Sequence, residues 1–168
     1  MSCLLSSGIT RTCDFGFGGL QKIYLGNKSE LESVTKDTDG NITAVTLSTG
    51  ANIFQYEFEP ETGQALQELQ VGSPSRFVLQ TLNMQLADMN QAKKDQLDAL
   101  ANADVFAFYE DQKDQFSLFG ELGRGLRATV LSIDTGTADA DAYVITITLV
   151  GGNRGFANNV LPSVVAGL

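Results

Sequence analysis

One helical pattern, residues 88–101, stands alone among segments that alternate apolar and polar side chains. That imbalance constrains the fold more than any other feature of the chain. Alternation with period two buries one face of a strand, whereas a helix needs apolar residues three and four apart. The clearest strand pattern is YVITITLV at 143–150, with Tyr143, Ile145, Ile147 and Leu149 on one face. At 104–110, Val105, Ala107 and Tyr109 oppose Phe106 and Phe108. At 76–86, Val78, Leu82, Met84 and Leu86 share a face. In the segment 51–59, Phe54, Tyr56 and Phe58 oppose Ile53, Gln55, Glu57 and Glu59. Residues 20–25, 115–119 and 127–133 complete the strand candidates, and Asp39-Gly40 predicts the turn of a hairpin leading into 42–47.

The helical segment offers Asp88 or Asn90 as its N-cap, either of which can accept from free first-turn N–H groups. Its apolar stripe is narrow: Leu97, Leu100 and Ala101, with Lys93, Lys94, Asp95 and Asp98 facing solvent. Such a stripe covers the flank of a sheet but cannot build a helical core. Residues 60–74 break the alternation and read as a long loop, from which Leu66, Leu69 and Val71 can dock on a neighbour. The fold class expected is α+β and mostly β: two packed antiparallel sheets, a sandwich or barrel, with one flanking α-helix. The expected organisation is an N-terminal arm (1–12), a single β domain (13–152) and a C-terminal tail (153–168). Seventeen Gly against three Pro suits many tight turns.

Composition narrows the function. At 168 residues and 43% hydrophobic, the chain can bury one ordinary core. It has no histidine, and its two cysteines, Cys3 and Cys13, read as free thiols without a base to activate them. The net charge of −9 is spread along the chain and disfavours a nucleic-acid grip, which needs a clustered basic face. No stretch reaches the length of a membrane span and no signal peptide is evident, so the expectation is a protein made in the cytoplasm with no membrane partner.

The remaining motifs point to structure. Asp37-Thr38-Asp39-Gly40 begins like a calcium loop but lacks the later ligands, and reads as a turn. Asp134, Asp139 and Asp141 read as a solvated loop; whether a metal sits there is left open. The glycine-rich stretches at 16–19 and 123–125 sit at no strand-to-helix turn, so no phosphate cradle is expected. Arg124 and Arg127 either pair with Glu121 or contact an acidic patch on a neighbour. No catalytic residue, cofactor or metal ligand is assigned, and the chain is expected not to be an enzyme.

The block CDFGFGGLQKIYLGNKSEL is similar to the openings of structural proteins from phages and prophages of Bacteroidetes-type hosts. The run from FVLQTLNMQLADMNQ through FGELGRGLRATVLSIDTG to YVITITLVG resembles phage tail tube proteins. The likeness covers residues 13–152 and rests on element order: strand, helix, strand, then a meander. It implies a virion subunit that forms hexameric rings, which stack into a tube for DNA delivery. Its partners would be copies of itself, other tail proteins, and DNA in transit without specific binding. The arm, the long loop and the tail become the contacts between subunits or rings. On this chain those are Leu4, Leu5, Ile9, Leu66, Leu69, Val71, Val160, Leu161, Val164 and Val165, with Arg124 and Arg127 beside them. An acidic lumen would let DNA slide, although the sequence does not assign which acids face inward. A capsid decoration protein, a head–tail joining ring or another virion-associated binding module shares much of this texture.

Overall fold

The computed structural model describes residues 8–9, 18–72, 75–87, 90–137, 141 and 143–168. It is mostly β, with two sheets and two helices among the described residues. The strands are β1 (Leu20–Asn27), β2 (Leu31–Lys36), β3 (Ile42–Leu47), β4 (Ile53–Tyr56), β5 (Gln64–Val71), β6 (Arg76–Leu86), β7 (Val105–Asp111), β8 (Phe116–Phe119), β9 (Arg127–Asp134), β10 (Val144–Asn153) and β11 (Asn159–Val160). The helices are α1 (Gln91–Asn102) and the short α2 (Pro162–Ala166). A seven-stranded sheet runs β2-β3-β11-β8-β7-β1-β4, and a four-stranded sheet runs β5-β6-β10-β9. All pairings are antiparallel except β3 with β11.

The main core lies between the sheets. Ile23, Leu25, Val105, Ala107 and Phe119 of the larger sheet meet Leu82, Met84, Ile145, Ile147 and Leu149 of the smaller one. A second core lies on the other face of the larger sheet, around Phe106, Phe108, Phe116, Leu118, Ile42 and Val160. The expected split of β7 therefore holds, and the reason is its central place: each face serves a different core. Phe106 and Phe108 pack edge to face at 5.6 Å, a geometry that aligns ring quadrupoles. Gly26 of β1 is what lets Phe106 lie flat on the sheet, since a Cβ there would sit 2.4 Å from Phe106 Cζ.

Helix α1 closes one side of the sandwich. Asn90 caps it, its side chain accepting from the Lys93 N–H at 2.9 Å, while Asp88 lies outside the described residues. Leu97 and Leu100 are buried in the main core. Ala101, expected in the stripe, is exposed: the helix touches the sandwich along a line too narrow to include it. Lys93, expected in solvent, is half-buried, with its Nζ donating to the Ala87 carbonyl at 3.1 Å.

Three segments differ from expectation. Residues 64–71, expected within a loop, form β5, which pairs with β6 along its whole length. Ala65 packs into the core, and Gln67 Oε1 accepts from the Ala157 N–H at 2.6 Å. The pairing partner decides the conformation, because Gln, Leu and Glu have little strand preference of their own. The strand expected over 51–59 is ordered as β4 only from Ile53 to Tyr56, and Phe54 is 56% exposed.

The tail expected over 153–168 is part of the domain. Asn153 ends β10, and β11 fits between β3 and β8, with Val160 opposite both Ile42 and Phe116. Val160 is 4% exposed, so it is a core residue rather than a docking one. Val164 and Val165 are half-buried against the second core. Apolar side chains at a chain end lower the free energy by closing a gap in the chain's own sheet.

Candidate assembly interface

The smaller sheet ends in two edge strands, and α1 packs against one of them, β9. β5 and β9 each pair on one side only among the described residues. An open edge presents unpaired N–H and C=O groups that another strand can satisfy. Both edges carry exposed apolar side chains: Leu66 (39%), Leu69 and Val71 on β5, and Val130 (45%) and Ile133 on β9. Successive strands β5, β6, β10 and β9 alternate in direction, so the two edges run opposite ways.

The register separates the faces of this sheet. Val78, Gln80, Leu82 and Met84 of β6 point inward and are buried. The outward positions are then Phe77, Leu79, Thr81, Asn83 and Gln85 on β6. Their cross-strand neighbours are Gln64, Leu66, Glu68 and Gln70 on β5, Thr146, Thr148 and Val150 on β10, and Arg127, Val130, Ser132 and Asp134 on β9. This face is uncharged over most of its area; its charged residues are Glu68, Asp134 and Arg127. Gln80 is the residue that the sequence reading passed over within the β6 stripe. Fully buried, it accepts from the Gly120 N–H at 2.9 Å and ties the smaller sheet to the loop after β8.

The expected interface residues scatter. Leu66, Leu69 and Val71 are all on the edge strand β5, Leu66 at an outward position and Leu69 and Val71 at the alternate positions. Leu161 is 43% exposed beside α2, far from that edge in the strand order. Ile9 is exposed, while Leu4 and Leu5 lie outside the described residues, as do Cys3 and Cys13. Arg127 pairs with Asp104 and not with Glu121. Its Nε donates to Asp104 Oδ1, and its Nη2 to Oδ2 at 3.0 Å. Register explains this, because the start of β9 lies beside the segment between α1 and β7. The Arg127 hydrogen bond, and then its charge, hold the Asp104 carboxyl below the usual carboxylate range, with a further contribution from the Arg124 charge. Glu121 pairs with Lys36 at 2.7 Å.

The loop carboxylates are spent on their own backbone. Asp37 Oδ1 accepts from the N–H groups of Asp39 (2.9 Å) and Asn41 (2.8 Å), which makes the expected hairpin turn. Asp134 accepts from Gly136 N–H, and Asp141 from Thr137 N–H. Asp139 lies outside the described residues, and no group of three potential metal-ligating side chains occurs among those described. A cleft of about 1040 Å³ beside the start of β1 is lined by Gly19, Glu61, Thr62, Tyr109, Asp111 and Gln112. That set includes no paired nucleophile and base. No helix among the described residues is long and apolar enough to cross a membrane. Comparison with protein-family models, curated proteins and solved structures found no match to this chain.

Proposed function

We propose that this chain is a structural subunit that assembles through the β5 and β9 edges into closed rings, and that the rings stack as a phage tail tube for DNA passage. The observation that carries this reading is the opposite direction of the two edges. β9 of one copy can pair antiparallel with β5 of the next, continuing the alternation of the sheet around a ring. Such a head-to-tail contact repeats until the rotation closes. The larger sheet and α1 occupy the inner face of the small sheet, so its outer face would line the channel. With two acids and a single cation on that face, Arg127, which is paired with Asp104, DNA would meet no phosphate-binding row and could slide. Resemblance to tail tube proteins in the order strand, helix, strand, meander adds to the reading.

Negative-stain microscopy of the purified protein tests it. Rings or tubes with a central channel are expected at micromolar concentration. Monomers that persist at high concentration, without rings, would overturn the reading and favour a virion-decorating module that binds a preformed lattice.

A further inference from the structure

Three side chains distant in sequence meet where the β2–β3 hairpin, the loop after β8 and the residues before β11 converge. Lys36 Nζ lies 2.7 Å from Glu121 Oε1 and donates to Glu121 Oε2 at 2.9 Å. The same Nζ donates to Asn158 Oδ1 at 2.9 Å. Asn158 is fixed from two further directions. Its Nδ2 donates to the Gly40 carbonyl at 2.8 Å, and its own carbonyl accepts from the Leu118 N–H at 3.3 Å. The Glu121 side chain is 10% exposed. Its backbone carbonyl accepts from Lys28 Nζ, which anchors the loop that carries it.

An amine that touches both a carboxylate and a carboxamide brings together the groups that amide transfer needs. We propose that Lys36 and Asn158 become joined by an intramolecular isopeptide bond, with Glu121 as the catalytic proton shuttle. Lys36 gives one proton to the Glu121 carboxylate and becomes a neutral amine. Its lone pair attacks Asn158 Cγ, whose carbonyl electrons move onto Oδ1. The attacking nitrogen passes its surplus proton to Nδ2 by way of Glu121. The Cγ–Nδ2 bond then breaks as the Oδ1 electrons return. Ammonia departs, takes the remaining proton from Glu121 and leaves as ammonium, and the carboxylate is regenerated. The step is redox-neutral and needs no co-reactant.

The fold supplies what this reaction lacks in solution. Nucleophile and amide are held together, which replaces a bimolecular encounter by an intramolecular one. The carboxylate is partly withdrawn from water and touches the amine, as a general base requires. Each molecule reacts only once, so a slow step is sufficient. The product would tie the early hairpin to the segment that completes the larger sheet. The inference does not rest on ring assembly.

Intact-mass spectrometry of the folded wild-type protein decides it. The expected mass lies below that of the sequence by one ammonia, about 17 Da. Fragmentation should yield a branched peptide linking Lys36 to Asn158. Lys36→Arg keeps a cation beside Glu121 but removes the nucleophilic amine, and should restore the full mass. Glu121→Gln should restore it as well. A folded wild-type protein that keeps its full mass after prolonged incubation would overturn the proposal and leave the trio as an ionic staple. A loss of ammonia carried on a linear peptide at Asn158-Asn159 would also overturn it, because that is a cyclic imide and not a cross-link.

Discussion

Individual residues explain how two sheets and two cores fit in a chain this short. Gly26 lies against the ring of Phe106, which is itself buried, so an added methyl has nowhere to go. Gly26→Ala should cost about 1–3 kcal/mol, as overpacking does, read as a lower urea midpoint with an unchanged slope. The Asp104–Arg127 pair makes a different demand. The native Asp104 carboxyl titrates below its unfolded value, so the folded state binds fewer protons there. Its contribution is present above the ordinary carboxylate range and is lost as pH falls through the lowered native value. Asp104→Asn should therefore lose less stability than wild type between pH 5 and pH 2. Urea midpoints measured across that range check it, and parallel curves would refute the assignment. Neither feature was legible in advance. The glycine reads as one of many, and Arg127 has Glu121 six residues away as an equally plausible partner.

At the scale of elements, the last sixteen residues have the clearest structural consequence. β11 contributes only Asn159 and Val160, yet it joins the β2–β3 hairpin to β8. Val160→Ala should cost about 2 kcal/mol by leaving a cavity in the second core. Leu161→Ala, at an exposed neighbour, should stay within about 0.5 kcal/mol. Equal small effects at both positions would mean that the segment docks loosely. Pattern alone cannot separate these neighbours, because two residues are too few to show a period. α1 is the opposite case. Its cap at Asn90 and its buried Leu97 and Leu100 follow from local spacing, since capping and the helical repeat depend on residues within a few positions.

Across the whole molecule, the question is which surface meets another copy. β5 and β9 are exposed, apolar in part and opposite in direction, an arrangement that natural monomers avoid by charging or covering their edges. Placing lysines at Leu69 and Val71 adds that protection where the side chains already face water. The double variant Leu69→Lys with Val71→Lys should keep the wild-type stability to urea within about 0.5 kcal/mol per site and yield no rings under microscopy. Rings that persist in this variant would move the contact away from β5.

The sequence by itself determined the strand-rich class, the lone main helix, the two faces of β7 and the Asp37 hairpin turn. Each depends on neighbours within one turn or one pleat, and period and turn chemistry encode such neighbours directly. Tertiary structure alone decided that residues 64–71 are a strand, that the chain end completes a sheet, and that Lys36, Glu121 and Asn158 meet. These outcomes rest on partners far away in the chain. β5 is a strand because β6 offers it a ladder, and Val160 is core because the gap between β3 and β8 has its shape. A segment with weak local preference takes its conformation from whichever distant surface pairs its backbone and buries its side chains.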